Sequence, residues 1–431
     1  MPTRRLLPTA FAAALLSASL PALSQSAYTL STLSKPSGAT NFAPSTLDNL
    51  GVVRGGMYYA AGVVSGRGFT CILFCTGHLY RAVSWSQAPT ALASATVGGK
   101  FLFPLVSNDK GTMVGPSSKA MEVQQGLTPP TYPSADGGYT LMGSLTNTYV
   151  RAKTTLLRQG STDTDVVAKI APVLGASNTT QFSSLFIAKG MNNSDAMVGL
   201  YDRPIATFEG GGTTYESEST AVVYRNGTVS RLDLGGYPRV LPADINDAGT
   251  VAGQVQGELD GRLKRWPALW VNERLSVVAD NTLIDHAPVS INNAGQVLLS
   301  GTTTPPGQDS LAAGIPALRA SAVVWFNGSK TPITSPAGEA IRATAMNDQG
   351  VVTGCALRYE APSTVDARPF LWKNGALLDL TQELKAKGVS LPAGTKLGCP
   401  TAINNSGSIL TYTYTNQMPS VITWVRINAK P

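Results

Sequence analysis

Seven segments of this chain repeat one order of apolar and polar positions: an apolar residue, Asn, two variable residues, Gly, then an apolar pair that a second Gly often closes. The clearest copies are Ile245-Asn246-Asp247-Ala248-Gly249, Ile291-Asn292-Asn293-Ala294-Gly295, Met346-Asn347-Asp348-Gln349-Gly350 and Ile403-Asn404-Asn405-Ser406-Gly407. Met191-Asn192-Asn193-Ser194-Asp195 carries Asp at the Gly position, and Asn108-Asp109-Lys110-Gly111 and Leu47-Asp48-Asn49-Leu50-Gly51 are looser copies. The pattern predicts a tight hairpin. Asn at the first turn position can hydrogen-bond backbone two residues on, and Gly at the last accepts positive φ without steric cost. Asp is among the few substitutes tolerated there.

A second pattern follows each copy: a small or polar residue, two or three apolar residues, then a large aromatic. It occurs at Arg81-Ala82-Val83-Ser84-Trp85, Thr220-Ala221-Val222-Val223-Tyr224, Pro267-Ala268-Leu269-Trp270, Ser321-Ala322-Val323-Val324-Trp325, Arg368-Pro369-Phe370-Leu371-Trp372 and Ser420-Val421-Ile422-Thr423-Trp424. Residues 152–157 form its degenerate second copy. Five of the six tryptophans stand at this one position, where a large apolar area with one N–H suits packing between sheets. Asn226-Gly227, Asn327-Gly328 and Asn374-Gly375 follow closely as hairpin signals.

Each unit therefore reads as four short strands, a to d, with tight a–b and c–d turns at one end. Successive Asn positions lie 46 to 84 residues apart, which suits a propeller blade with insertions. A single four-stranded sheet cannot bury both faces, whereas a ring of them can. The expected fold is all-β: a propeller of about seven four-stranded blades starting near 47, 106, 187, 243, 289, 344 and 401, in one domain over 25–431. The seventh copy ends at Trp424 with no obvious d strand. Residues 28–33 (Tyr-Thr-Leu-Ser-Thr-Leu) supply one, and are expected to pair with the last blade and close the ring.

These residues resemble the HAF-type extracellular repeat, named for a His-Ala-Phe tripeptide before the Trp. The resemblance spans roughly residues 40 to 427 and rests on Asn-x-x-Gly-x-Val-Val-Gly followed by Trp and Asn-Gly. The name-giving His is absent from every copy; Pro267-Ala268-Leu269 and Arg368-Pro369-Phe370 come nearest. The resemblance implies a secreted bacterial propeller-like protein and no particular activity.

The N-terminus fits that reading. Residues 1–5 are basic, 6–20 apolar, and Ala22-Leu23-Ser24 offers small residues for signal-peptide cleavage, giving a signal peptide over 1–24, with cleavage after Ala27 as the alternative. No later stretch is apolar enough for a spanning helix, so a secreted or periplasmic destination without a membrane span is expected. The formal charge is +7, with Lys and Arg scattered rather than clustered, which gives no nucleic-acid tract. Cys71, Cys75, Cys355 and Cys399 make an even set, so two disulfides are expected in an oxidising compartment. Cys355 and Cys399 fall at the same end of adjacent blades, and Cys71 with Cys75 would close a small loop. Their spacing matches no usual zinc pattern, and no metal or other cofactor is expected.

Candidate chemistry is sparse. His78 and His286 are the only histidines, and any Ser–His–acid set must use one of them. Ser107-Asn108-Asp109-Lys110 matches S-x-x-K but falls on a repeat turn. The segment 244–249 resembles a calcium loop with Ala248 where oxygen is needed. Asp163 and Asp165 form a spaced carboxylate pair. Asp48 and Asp244 are acids near strand a, where a propeller hydrolase would place its carboxylates. The a–b and c–d turns are regular. Length varies in the connections 57–80, 115–149, 201–219, 254–266, 302–320 and 356–367, so that end is where a ligand would bind. Aromatics there (Tyr58, Tyr59, Phe69, Tyr132, Tyr139, Tyr201, Tyr215) could form a platform or pin the loops. The leading expectation is a monomeric, non-enzymatic binding module for an unknown protein or glycan ligand. An extracellular polysaccharide hydrolase or lyase, and a structural envelope or surface protein, are the alternatives.

Overall fold

The two punctuated hairpins fold into one four-stranded antiparallel sheet, and the computed structural model holds seven such sheets arranged as a propeller. The structure describes residues 28–37, 39, 41–61, 77–86, 89–91, 101–102, 104–118, 140–141, 148–149, 154–177, 183–209, 212–278, 280–303, 319–361, 364–415 and 422–429.

Blade 1 comprises Asn41–Leu47, Val53–Ala61, Gly77–Trp85 and Pro89–Ala91. Blade 2 has a broken first strand, Phe101–Leu102 with Val106–Ser107, then Met113–Ser118, Thr154–Gln159 and Thr162–Asp165. Blade 3 is Leu185–Met191, Met197–Glu209, Gly212–Arg225 and Thr228–Arg231. Blade 4 is Arg239–Ile245, Val251–Leu259, Arg262–Val271 and Arg274–Val277. Blade 5 is Ala287–Ile291, Val297–Thr303, Arg319–Phe326 and Ser329–Ile333. Blade 6 is Ala340–Met346, Val352–Ala361, Thr364–Lys373 and Ala376–Asp379.

Blade 7 takes Thr395–Leu397 with Ala402–Ile403, Ile409–Thr415 and Ile422–Ala429 from the end of the chain. Its outer strand is Tyr28–Thr32, paired antiparallel with the last strand from Tyr28 opposite Ala429 to Thr32 opposite Val425. The ring is thus closed by the N-terminal strand.

Strand a is innermost, and its sequence shows why. Its register shifts at Pro44/Thr46, Ala188/Gly190, Pro242/Asp244, Pro288/Ser290 and Ala343/Ala345. A strand with one unpaired edge tolerates proline and a bulge there, because no ladder hydrogen bond is lost. The bulge presses strand a onto strand b. A Cβ on Gly55, Gly199, Gly253 or Gly354 would collide with the carbonyl oxygen of Ala43, Ile187, Leu241 or Arg342. That close approach accounts for the Gly closing the repeat's apolar pair.

The core lies between blades. Phe186, Met197 and Tyr224 of blade 3 pack on Val114 and Leu157 of blade 2. Trp270 of blade 4, fully buried, packs on Val198, Val223 and Leu232 from blade 3. Trp85 packs across the closing seam against Leu33, Leu410 and Trp424. Its indole N–H donates to the Ser34 carbonyl at 2.9 Å, and that of Trp270 to Asp233 at 2.8 Å, in each case to the chain leaving the preceding blade's outer strand. Trp372 is buried between blades 5 and 6, and Trp325 is partly buried between blades 4 and 5.

Three connections differ from the loops expected of them. Residues 201–219, 254–266 and 356–367 are continuations of strands b and c. In blade 3 pairing runs out to Glu209 opposite Gly212, and in blade 4 to Leu259 opposite Arg262, across Asp260 and Gly261 at φ 52° and 69°. In blade 4 the first part of this two-stranded ribbon is buried, with Val255 in the core beside blade 3, and the side chains become exposed only from Glu258 through Leu263. Two helices also lie in d–a connections. The first, α1 (Val166–Leu174), is capped by Asp165, and the second, α2 (Leu380–Ala386), by Asp379. Asp379 is thus both the last residue of strand d in blade 6 and the cap of α2.

Cys355 in strand b of blade 6 is bonded to Cys399 at the start of blade 7, with Cα atoms 5.5 Å apart. Cys71 and Cys75 lie outside the described residues. No described helix is long and apolar enough to cross a membrane.

Candidate functional site

The two ends of the ring are built differently. At the a–b turn end, every repeat Asn works twice. Asn246 Oδ1 accepts from the Thr250 N–H at 2.9 Å, closing its own turn, and Gly249 takes φ 81°. Asn246 Nδ2 donates to the Asn292 carbonyl of the next blade at 3.2 Å. The same link runs from Asn108 to Asn192, Asn192 to Asn246, Asn292 to Asn347, Asn347 to Asn404, and Asn404 to Asp48. Gly111, Gly295, Gly350 and Gly407 all take positive φ, as does Asp195 at 60°.

A second belt lies one residue on, in a column that looked variable. Its members are Asn49, Asp109, Asn193, Asp247, Asn293, Asp348 and Asn405. Each backbone N–H donates to the next member's Oδ1, at 2.7 to 3.0 Å, and Asn405 returns to Asn49. Asn193 Nδ2 reaches Oδ2 of both Asp109 and Asp247, and Asn293 Nδ2 reaches both Asp247 and Asp348. Alternation of amide and carboxylate was the available signal, and it is invisible until the copies are stacked. This geometry also accounts for the paper motifs. Ser107 bonds Thr46 while Asn108 and Asp109 serve the belts, so S-x-x-K is turn structure. Asp247 of the calcium-like segment is a belt member.

Blade 1 departs from this rule. Asp48 replaces Asn, keeps the turn bond to Val52 N–H, and takes Arg54 Nη1 at 2.7 Å on its other oxygen. Asp244, in blade 4, accepts from Ile245 N–H and from Ile291 N–H of blade 5 at 3.0 Å. Burial pushes its carboxyl up to about 7 against the pull of those two donors. Asp48 and Asp244 stand on blades 1 and 4, and each carboxylate is taken by its own partners, Arg54 and Val52 N–H for the first and two backbone N–H groups for the second. Asp163 is held bidentately by Arg158 at 2.7 and 2.9 Å, and Asp165 caps α1. Among the described residues no group of three His, Cys, Asp or Glu could hold a metal ion.

The opposite end is irregular and polar. The blade 3 ribbon carries an Arg203–Glu218 pair and Asp202 accepting from Ser217 and Ser219. On blade 4, Tyr237 and Trp266 pack with centroids 5.9 Å apart, and Lys264 pairs with Asp285 at 3.1 Å. On blade 6, Arg368 bridges Glu339 and Asp379, and its hydrogen bonds hold the Glu339 carboxyl below the usual range. Tyr201 does not join a platform: it is buried, and its hydroxyl donates to the Gly175 carbonyl. Phe69, Tyr132 and Tyr139 lie outside the described residues. His78 falls in strand c of blade 1 rather than in the cysteine loop. His286 is buried, with Nε2 2.8 Å from Ser321 Oγ.

Fold and belts together define a velcro-closed, seven-bladed β-propeller with one locked and one irregular end. No protein-family model matches the chain, and no curated protein does. Among solved structures it is similar to the β-propeller domain of the trilobed protease from Pyrococcus furiosus, at 8% identity over 90% of this chain and 94% of that one, TM-score 0.44. It is also similar to TolB from Acinetobacter baumannii, at 11% identity over 64% of this chain and 60% of that one, TM-score 0.31. Trypanosoma rangeli sialidase shares 9% identity over 93% of this chain and 58% of its own, TM-score 0.37.

Proposed function

We propose that this protein is a secreted or periplasmic binding propeller of the HAF-repeat type that takes a glycan or protein ligand on its irregular end and performs no polymer cleavage there. One observation carries the reading. The belts commit the turn end to holding the ring together, while the other end varies from blade to blade in hairpin length and side chains. Ribbons on blades 3 and 4, the Tyr237–Trp266 pair and charged groups such as Arg265 offer aromatic and hydrogen-bonding surface of the kind that sugars and peptides use. The engagement of Asp48 by Arg54 and of Asp244 by two backbone N–H groups weighs against the glycosidase alternative, whose acid and base must be presented to one bond.

The test is a glycan array and a pull-down with the full chain, followed by Trp266→Ala and, at the turn end, Lys110→Ala. Binding is expected to fall at least tenfold in the first variant and to persist in the second. Degradation of a polysaccharide by the wild type, or equal loss in both variants, would overturn the reading.

A further inference from the structure

Blade 5 breaks the pattern of its siblings at two laterally aligned positions, His286 and Gly301, beside a third, Ser321, where three other blades carry Thr154, Thr220 and Thr423. The strand a position filled by His286 holds Phe42, Leu102, Phe186, Val240, Ile341 and Leu397 in the other blades, and all six are apolar. The strand b residue beside it is Gly301, and the strand c residue opposite Gly301 is Ser321. The imidazole lies flat across Gly301: a Cβ there would come within 2.7 Å of His286 Cγ and 2.9 Å of Cδ2. Removing one side chain thus makes room for the ring to reach Ser321 on the third strand.

The ring is held in one orientation. Nδ1 faces the Ile284 carbonyl at 3.4 Å, and Nε2 faces Ser321 Oγ at 2.8 Å. Nδ1 can only donate to a carbonyl, which leaves Nε2 as the acceptor of the serine proton. The backbone of His286 is fixed as well, its carbonyl accepting from Gln254 Nε2 of blade 4 at 3.0 Å. Asp285 does not serve as the third group, because Lys264 and the Arg265 N–H occupy its carboxylate. A core position needs no base, and apolar residues serve it six times in this chain. The half-buried Ser321 sits near the start of strand c at the irregular end, with His286, only 2% exposed, behind it.

We infer that Ser321 is a nucleophile activated by His286, forming an acyl-transfer site for small carboxylic esters at the irregular end. The inference goes beyond the binding reading and does not depend on it. Ser321 Oγ forms a bond to the acyl carbon as its proton passes to Nε2. The ester C–O bond breaks, and the departing alcohol takes that proton. Water then attacks the acyl-serine with Nε2 as base, releasing the acid and restoring the serine.

The test incubates the full chain with a biotinylated ethyl fluorophosphonate, whose phosphorus is attacked by activated serines with loss of fluoride, and maps the adduct by peptide mass spectrometry. One adduct at Ser321 is expected, absent in Ser321→Ala. In His286→Phe, the residue blade 3 carries at this position, labelling is expected to slow about 100-fold, with thermal unfolding reporting that the variant is folded. A wild type unmodified at Ser321 under conditions that label a control serine hydrolase would overturn the assignment. So would an adduct that survives in Ser321→Ala, or unchanged labelling in a folded His286→Phe.

Discussion

Asp48 and Arg54 replace, in blade 1, an Asn that every other copy holds and a residue that is apolar in five of the other six blades and Thr353 in the sixth. The Arg54 position is Val114, Val198, Ala252, Leu298, Thr353 and Leu410 in blades 2 to 7. Arg54 is nearly buried and its side chain also covers Gly111 of blade 2. The pair is a local exchange of one cross-blade donor for an ion pair, and each half needs the other. Arg54→Val alone is expected to cost about 3 kcal/mol, since it strands a buried carboxylate. The double variant Asp48→Asn/Arg54→Val is expected to return to within about 1 kcal/mol of the wild type. Urea denaturation of the four proteins measures the cycle. Thr353 stands at the same position in blade 6, fully buried, with a hydroxyl that makes no hydrogen bond. Thr353→Val keeps the shape and removes an unsatisfied polar group, so it is expected to stabilise by about 1 kcal/mol in the same assay.

Asp244 carries the pH dependence at this scale. Its folded value of about 7 lies above the ordinary 3.8, so the folded state holds the proton more tightly than the unfolded one. Its contribution to stability is fully present below about pH 4 and is lost as the pH rises through 7. The melting temperature of Asp244→Asn relative to wild type is therefore expected to climb between pH 4 and pH 7 and to level off above. A difference that stays flat across that window would contradict the assignment of burial as the cause.

At the scale of elements, the hairpins are local and the belts are not. The turns at Asn226-Gly227, Asn327-Gly328 and Asn374-Gly375 take positive φ at both residues, the geometry that matches strand twist, and Asn-Gly announces it within two residues. The Asn of the a–b turn is legible for its own hairpin, but its Nδ2 reaches a carbonyl 46 to 84 residues away, and 356 residues away at the closing link from Asn404 to Asp48. Asn246→Ala removes both roles and leaves two buried groups short of partners. It is expected to cost about 2 to 3 kcal/mol by thermal or urea unfolding, more than loss of a turn bond alone. The ribbons on blades 3, 4 and 6 show the opposite failure. In blade 4 the strand runs from fully buried positions at Val251–Gly257 to exposed ones at Glu258–Leu263, so neither stretch alternates and the composition suggested a loop.

For the whole molecule, closure is the decisive contact. Tyr28 and Leu30 are partly buried against blade 7, and Leu33 is buried in the seam. A chain lacking residues 28–33 is expected to lose roughly 4 kcal/mol of stability from that apolar burial. It would also expose the edge of Ile422–Ala429, so it is expected to self-associate with rising concentration in size-exclusion chromatography. A truncated chain that remained a monomer of unchanged melting temperature would show that the seam is not held by this strand. The Cys355–Cys399 bond ties blades 6 and 7 beside the same seam, which places covalent and strand closure in one arc of the ring.

The seven-fold hairpin order, the tryptophan column, the missing seventh outer strand and its replacement near residue 28 were all legible from residues alone, because each is a short-range pattern or a count of copies. The disulfide followed once the blades were aligned. What only the folded ring decided are contacts whose partners come from different copies: the amide–carboxylate belt, the Asp48–Arg54 exchange, the burial that lifts Asp244, and the His286–Ser321 pair across Gly301. Those depend on distances between strands far apart in sequence, and no periodicity within a blade encodes which column will face the axis or which side chain will vanish to let another through.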